Sequence, residues 1–292
     1  MIETGKQNPS CFHLAGIVPV AGQQLDFNFP WHDSLMPIGK DYLAVERAVL
    51  ECAWAGCETI WIVCHRDMQP LIKERIGEWI FDPNSLLAKG IFQSTKRKRI
   101  AIYYIPVHPK DRDRRDCLGW SALYGALSAY HISRKMSKWL IPDKFYCAFP
   151  YGVYDPSILR EHRKKISSKE NFCLTFKGRS VINGEYLGFT FDGEDFKKCR
   201  RHVREQSTAL HDKEGNRLSI EKRWSARNFS LDIVFEHVII GVCIELEQYH
   251  SIASWSEYAE FISDGQKYEK PEFFKPKSWN TLGGEFEDGK DN

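Results

Sequence analysis

The sequence lacks long hydrophobic runs, an excess of either charge and paired cysteines. No uncharged apolar stretch reaches the roughly 18 residues that a membrane-spanning helix needs, so we expect no membrane partner. The 41 basic and 39 acidic side chains give a net charge of +2, which provides no general basis for binding nucleic acid. The nine cysteines occur singly, without a Cys-x-x-Cys pair. This usage is typical of structural thiols in a reducing compartment, so we expect a cytoplasmic protein without a disulfide framework.

Two catalytic motifs are also missing. The sequence contains no Gly-x-Ser-x-Gly, which excludes the nucleophile elbow of α/β hydrolases. It contains no Gly-x-x-x-x-Gly-Lys-Ser/Thr, which excludes a P-loop enzyme. The dipeptide His32-Asp33 could act as a base or a metal pair. No second histidine stands at metal-ligand spacing, so a metal there is disfavoured.

A strand, loop, helix and strand can be recognised near the start of the chain. Apolar runs at residues 14–20 and 59–64 predict two strands, and residues 41–55 predict the helix that connects them. A helical connection suits parallel pairing, and strands that are apolar on both faces are typical of buried parallel sheets. Ligands of such sheets bind beyond the carboxyl ends of the strands, where Ala21-Gly22 and His65 lie.

Later segments extend this pattern. We expect strands at residues 102–107 and 145–149 to be neighbours of strands 17–20 and 60–64. The alternation of strands and helices predicts an α/β fold with a Rossmann-like, mostly parallel sheet and helices on both faces. We expect one domain over residues 1–264, followed by a polar and flexible C-terminal tail over residues 265–292.

Four segments resemble sugar nucleotidyltransferases, the nucleotide-sugar pyrophosphorylase-like family with a glycosyltransferase-A-like fold. They occur in the family's order, at residues 18–22 (Val-Pro-Val-Ala-Gly), 35–43, 118–126 and 247–258. The resemblance implies a nucleoside triphosphate or nucleotide-sugar as partner and Mg²⁺ as cofactor. It implies that backbone amides of the first loop surround phosphate and that the segment at 118–126 faces the base. Together with basic and polar residues at the same sheet edge, the candidate nucleotide-binding residues are Ala21, Gly22, Gln23, Gln24, His65, Lys110, Arg114, Gly119 and Gly152.

The sequence also departs from the family pattern. Gln23-Gln24-Leu25 replaces a Thr-Arg pair whose arginine binds the triphosphate, and Asp33-Ser34 replaces a Pro-Lys step. Val153 and Ser251 stand where the family has its Mg²⁺-binding aspartates. Asp155 is the nearest carboxylate that could substitute, so we take it as a candidate catalytic residue and Mg²⁺ ligand.

The loop at residues 108–116 could supply the missing cations. It follows the predicted strand 102–107 and carries Lys110, Arg112, Arg114 and Arg115. Guanidinium groups pair bidentately with phosphate, and we take Arg112 and Arg115 as catalytic candidates. The alternative is a surface loop whose Asp and Arg side chains neutralise each other. His65 likewise could contact a base or phosphate, or be a polar strand end.

Three functions remain open on this sequence. The first is a nucleotidyltransferase-like protein that transfers a nucleotidyl group to a sugar-1-phosphate. The second is a catalytically silent nucleotide-binding or regulatory protein on the same fold, which the lost Arg, Lys and Asp positions motivate. The third is a glycosyltransferase, whose Asp-x-Asp metal motif would be Asp111-Arg112-Asp113.

Overall fold

Twelve strands are present in the computed structural model, which describes residues 12–23, 26, 28–87, 98–112, 115–206, 214–217, 229–265 and 268–278. The strands are β1 (Leu14–Pro19), β2 (Pro37–Gly39), β3 (Tyr42–Leu43), β4 (Thr59–Cys64), β5 (Trp79–Phe81), β6 (Arg99–Pro106), β7 (Lys144–Cys147), β8 (Gly152–Val153), β9 (Asn171–Thr175), β10 (Phe189–Phe191), β11 (Ile240–Glu245) and β12 (His250–Ser251).

The same described ranges contain nine α-helices, of which the last follows β12. They are α1 (Ala44–Ala55), α2 (Gln69–Ile76), α3 (Pro83–Leu87), α4 (Pro109–Arg112), α5 (Leu118–Met136), α6 (Leu159–Ile166), α7 (Gly193–Gln206), α8 (Leu231–Phe235) and α9 (Trp255–Ser263). Within these ranges, none of the helices is long and apolar enough to cross a bilayer.

Eight of the strands form one sheet in the order β11-β9-β10-β7-β1-β4-β6-β5. The central strands β7, β1, β4 and β6 are parallel neighbours, which confirms the predicted arrangement. Strand β10 runs antiparallel to both of its neighbours, and β5 runs antiparallel to β6. Outside this sheet, β2 pairs with β3 and β8 pairs with β12.

Successive side chains of β1 point alternately into two layers of the core. Leu14 and Val18 belong to one buried cluster, whereas Ala15 and Ile17 belong to the other. Helices α1 and α6 contact each other and α1 contacts β1 and β7, while α5 contacts β1 and β4 and is covered by α7 and α8. Successive side chains of a strand point to opposite faces, so both faces carry helices, as predicted for this α/β fold.

The first helix begins later than the sequence predicts. Residues 41–43 do not continue α1, because Asp41 has a left-handed φ of 53° and Tyr42 pairs with Gly39 in the β2–β3 hairpin. Helix α1 starts at Ala44, where the Glu46 carboxylate accepts a hydrogen bond from the Leu43 amide at 2.8 Å. It ends at Gly56, whose φ of 93° suits glycine.

A buried ionic network ties α1 to the sheet. Arg47 donates to the Glu51 carboxylate at 2.8 Å and to the Phe149 carbonyl at 2.6 Å. The Tyr146 hydroxyl donates to the other Glu51 oxygen at 2.7 Å. The side chains of Arg47 and Glu51 are fully buried. Since Phe149 follows β7, this network holds α1 against the carboxyl edge of the sheet.

The C-terminal segment at residues 268–278 packs on the body of the protein. Phe274 is only 1% exposed. The Lys270 ammonium lies 2.8 Å from Glu46, and the Glu78 amide donates to the Lys277 carbonyl at 2.6 Å. These contacts hold residues 268–278 on the body, residues 279–292 lie outside the described ranges, and the flexible tail stays a prediction. The domain boundary at residue 264 stays a prediction.

Candidate functional site

The turn after β1 is seated on the start of the longest described helix, α5. Gly22 has a φ of 86°, and a side chain there would overlap the backbone of Cys117. Cys117 caps α5, since its Sγ accepts from the Trp120 amide at 3.4 Å. The Ala21 amide donates to the Val63 carbonyl at 3.0 Å. This amide is therefore engaged within the protein, and phosphate contacts by Ala21, Gly22 and Gln23 stay a prediction.

The loop that begins at Gln23 contacts residues near the carboxyl end of β7. The Gln23 side-chain amide donates to the Tyr186 hydroxyl at 3.3 Å. The Tyr186 ring contacts Phe149 and Tyr151, both of which follow β7. Gln24, also a predicted nucleotide-binding residue, lies outside the described ranges. The described part of this loop thus joins the carboxyl ends of β1 and β7.

His32 and Asp33 form a buried pair at this edge. The His32 Nδ1 lies 3.2 Å from the Asp33 Oδ1, which also accepts from the Ser34 amide at 2.8 Å. The Asp33 Oδ2 makes no well-formed hydrogen bond with the described part of the chain. The nearby Tyr151 hydroxyl donates instead to the Val20 carbonyl at 3.0 Å.

Burial shifts the titration of both members of this pair. It raises the pKa of Asp33 to about 7, against the opposing effect of the Ser34 amide and the Tyr151 hydroxyl. Burial, together with the charge of His65, lowers the pKa of His32 to about 4. A low-dielectric environment disfavours the ionised form of both side chains, so at pH 7 His32 is neutral and Asp33 is about half protonated. Groups with such shifts in a crevice are functional-site candidates.

A second imidazole–carboxylate pair lies beside the first. The His65 Nε2, after β4, is 3.5 Å from the Asp116 Oδ2, just before the cap of α5. His65 was predicted from the sequence, and His32-Asp33 was weighed as a base or metal pair. Asp116 was missed as a site residue. Its position in the charged loop directly before the α5 segment was the signal that could have identified it.

The cations of the basic loop contact different partners. Lys110 is exposed on α4, and Arg112 lies 3.8 Å from Asp67 in the loop after β4. Arg115 donates to Asp111 at 3.1 Å and lies 5.1 Å from the centre of the Trp120 ring. The Asp111–Arg115 pair matches the neutralised-loop alternative, whereas Arg112 faces the loop that contains His65. Arg114 lies outside the described ranges.

Arg115 also lines a cavity of about 480 Å³ that is formed mainly by α7. The other lining residues are Phe196, Lys197, Arg200, Arg201, Arg204 and Glu205. Burial and the neighbouring cations Arg204 and Arg115 lower the pKa of Arg200. Arg115 thus belongs to this basic cavity, which is an alternative to the predicted catalytic role of its side chain.

The predicted glycines are explained by close packing. A side chain at Gly119 would come 2.7 Å from Val234 of α8, and one at Gly152 would overlap the Tyr186 carbonyl. Both glycines are buried. Packing therefore accounts for a glycine at each position, and their contact with a nucleotide stays a prediction.

The expected Mg²⁺ positions are adjacent but lack carboxylates. In the β8–β12 ladder, Ser251 lies opposite Gly152 and His250 lies opposite Val153, which is fully buried. Mg²⁺ is held mainly by carboxylate oxygens and waters, so this set of side chains does not fit the ion.

The proposed substitute ligand is used locally. Asp155 accepts hydrogen bonds from the Ser157 amide at 2.9 Å and the Ser157 hydroxyl at 2.8 Å. It thereby caps the 3-10 helix Pro156–Ile158. Although this carboxylate is exposed, both of its oxygens already accept hydrogen bonds. Its role as a metal ligand remains a prediction that the local geometry does not favour.

Comparison with known proteins supports the fold class. No protein-family model and no curated protein matches the chain. A Bacillus anthracis protein assigned as a glucose-1-phosphate thymidylyltransferase, solved with sucrose, aligns with a TM-score of 0.53 at 10% identity, over 90% of this chain and 100% of that one. The sheet and this neighbour define an α/β protein with the fold of nucleotidyltransferases, of glycosyltransferase-A-like type.

Two further solved structures align more loosely. A UDP-glucose pyrophosphorylase in complex with UDP-glucose has a TM-score of 0.47 at 14% identity, covering 87% of this chain and 98% of that one. A UTP-bound UGPase from Acinetobacter baumannii has a TM-score of 0.48 at 10% identity, covering 87% and 93%. At these identities the likeness concerns the fold, and the function must be argued from the site.

Proposed function

We propose that this chain is a nucleotidyltransferase-like protein that binds a nucleoside triphosphate or a nucleotide-sugar. The observation that carries the proposal is the convergence of His32-Asp33 and His65–Asp116 at the carboxyl edge of β1 and β4. Open α/β sheets bind ligands in the crevice at this edge. Titratable groups perturbed by burial, as His32 and Asp33 are, cluster in such crevices.

The polar groups at the edge suit a phosphorylated ligand. Backbone amides in a turn such as Gly22-Gln23 form concave anion sites. Arg112 and Lys110, exposed in the next loop, add positive charge on the side of His65. Cationic side chains form charge-assisted hydrogen bonds with phosphate oxygens. In this proposal the nucleotide lies across the ends of β1 and β4, with its phosphates between the Gly22 turn and Arg112.

The residues of the site support nucleotide binding better than they support nucleotidyl transfer. Nucleotidyl transfer to a sugar-1-phosphate breaks the bond between the α- and β-phosphates and releases pyrophosphate. It needs in-line positioning and positive charge against the developing negative charge. Mg²⁺ would supply that charge, but Val153 and Ser251 do not fit it. We therefore propose retained nucleotide binding with very slow transfer or none, in the cytoplasm that the cysteine usage predicts.

No described contact favours a glycosyltransferase. Its only Asp-x-Asp candidate uses Asp111, which accepts from Arg115 at 3.1 Å, and Asp113, which lies outside the described ranges. Exchange of labelled pyrophosphate distinguishes an active nucleotidyltransferase from a silent nucleotide-binding protein.

Binding can be tested by thermal shift against the common nucleoside triphosphates and nucleotide-sugars, with and without Mg²⁺. A ligand of the native state raises the melting temperature by mass action. The ligand found is then titrated by calorimetry into wild type, His65→Ala and the matched control His131→Ala, an exposed histidine of α5.

The two variants should behave differently. One charge-assisted contact contributes roughly 1.5–3 kcal/mol to the binding free energy, so its loss in His65→Ala should weaken binding about tenfold or more. The control should bind like the wild type. An absence of any thermal shift, or equal affinity of both variants and the wild type, would overturn the proposed site.

A further inference from the structure

Three metal-ligating side chains converge away from the β1–β4 edge, on the layer formed by α7 and α8. His202 lies on α7, and Glu236 and His237 follow directly after α8. Both helices pack on α5 and on each other. The proposed nucleotide site uses none of these residues.

Two imidazole nitrogens of this cluster approach the same carboxylate oxygen. The His202 Nε2 and the His237 Nε2 lie 3.6 Å and 3.2 Å from the same Glu236 oxygen, Oε1. One ligand atom from each of the three side chains lies within 4.8 Å of the other two. Zinc bonds of about 2.0–2.1 Å in a tetrahedron place ligand atoms about 3.3–3.4 Å apart. Both nitrogen–oxygen separations are therefore close to those of a zinc site before any ion is present.

The backbone that carries these ligands is fixed by the core. Val203, next to His202, and Phe235, next to Glu236, are fully buried. His202 itself is only 18% exposed, whereas the other two side chains face solvent and can adjust. The rings of His202 and His237 are 4.9 Å apart and nearly perpendicular. Binding would therefore order mainly the exposed Glu236 and His237 side chains.

One side of the cluster opens into a cavity of about 340 Å³. Lys198, Arg201 and Glu205 line it together with His202 and His237. Glu205 and Glu236 place negative charge beside Lys198 and Arg201 and partly offset the cations of α7. A site with three protein ligands keeps one position for water or substrate, and the lining cations suit an anionic ligand there.

We propose that His202, Glu236 and His237 bind one divalent transition-metal ion, with Zn²⁺ as the best match to two imidazoles and a carboxylate. The fourth position faces the cavity and takes water or an anionic oxygen ligand. A simple hydrogen-bonded His–Glu–His cluster is the competing explanation, and it predicts no metal affinity above that of other surface histidines.

Zinc binding to the full-length protein, measured by calorimetry and by equilibrium dialysis, tests this proposal. We expect one strong site per chain that is weakened at least tenfold in His202→Ala/His237→Ala and in Glu236→Gln, since even supporting residues of metal sites change affinity by about 10–100-fold. The matched control is His131→Ala/His162→Ala, which removes two histidines from α5 and α6. Cys243→Ser removes an exposed thiol that could also bind zinc.

Cobalt absorption provides a second readout. Co²⁺ bound by nitrogen and oxygen should show visible bands without a sulfur-to-metal charge-transfer band, and these should be lost in Glu236→Gln, whose exposed side chain is not needed for folding. Wild-type zinc affinity in the ligand variants, or its loss in Cys243→Ser, would overturn the assignment. Nucleotide binding should be unchanged in all these variants, which separates this site from the proposed function.

Discussion

Replacing Glu51 by glutamine should destabilise the protein strongly, because it leaves a buried cation without its counter-ion. Arg47 and Glu51 are fully buried and 2.8 Å apart. Burial alone would lower the pKa of Arg47, but the Glu51 carboxylate and the Tyr154 hydroxyl raise it by more. An arginine guanidinium is not deprotonated in proteins, so Arg47 stays charged in the variant. A side chain at Gly188 would overlap the Glu51 carboxylate and the Tyr146 hydroxyl, so the network lies directly against this glycine.

The size of the effect follows from the burial. Removing one partner of a buried ion pair costs about 3–5 kcal/mol. Domains are stable by only about 5–15 kcal/mol, so this single change removes a large share of the total. With about 2–4 °C per kcal/mol for large domains, the melting temperature should fall by about 6–20 °C. The carbonyl oxygen of the glutamine side chain can still accept from the Tyr146 hydroxyl, but its NH2 group then faces Arg47, so the loss includes the charge and the Arg47 hydrogen bond.

Urea unfolding of a double-mutant cycle measures this coupling. The set is wild type, Glu51→Gln, Arg47→Met and the double variant, followed by circular dichroism and tryptophan fluorescence. The double variant carries no buried charge, so it should cost clearly less than the sum of the single changes. A cost below about 1 kcal/mol for Glu51→Gln, or strict additivity, would show that the buried charge is compensated in another way.

The remaining predictions concern the candidate site. The pKa of Asp33 is raised from 3.8 to about 7, so the unfolded chain loses this proton first and wild-type stability falls as the pH rises through that interval. The side chain introduced by Asp33→Asn cannot ionise, so the variant does not lose stability in this way. In denaturant melts, its free energy of unfolding should rise by up to about 4 kcal/mol relative to that of the wild type between pH 4 and 7. A difference that does not depend on pH would contradict this. Arg112→Ala should weaken nucleotide binding about tenfold or more in calorimetry, whereas Arg115→Ala, engaged by Asp111, should change it less; the reverse order would place Arg115 at the ligand. Exchange of labelled pyrophosphate should be very slow or absent in both wild type and Asp155→Asn; robust Mg²⁺-dependent exchange in both would show that the metal lies elsewhere, and exchange lost only in Asp155→Asn would identify that ligand.

The sequence was informative where local pattern and burial agree. The runs that form β1, β4, β6 and β7 are apolar on both faces, so their parallel pairing could be predicted from composition and spacing. The resemblance to nucleotidyltransferases extended this to the fold. The start of α1 could not be predicted, because the Tyr42–Gly39 pairing that prevents an earlier start is a hairpin without a clear turn signal.

The site was less accessible to sequence analysis because its chemistry depends on distant contacts. Burial shifts the pKa of His32 and of Asp33, and the Tyr151 hydroxyl that opposes the shift of Asp33 lies more than a hundred positions along the chain. Likewise, His202 meets Glu236 and His237 only because α7 and α8 pack together. Arg115 and Arg112 are close in sequence, yet they contact different partners. None of these outcomes is encoded in the periodicity of a single segment.

The packing of residues 268–278 has a consequence for the order of folding. Gly77 forms a parallel bridge with Lys277, and Tyr268 donates its amide to Ile38 at 3.4 Å. These contacts join segments about 200 positions apart, so they cannot form until residues 268–278 have left the ribosome. Domains generally fold from the N-terminal side during synthesis, and distant pairings form slowly. A nascent chain that stops before residue 268 therefore exposes the apolar site of Phe274 and the Glu78 amide that otherwise donates to Lys277, and it is at this stage that we expect it to depend most on chaperones.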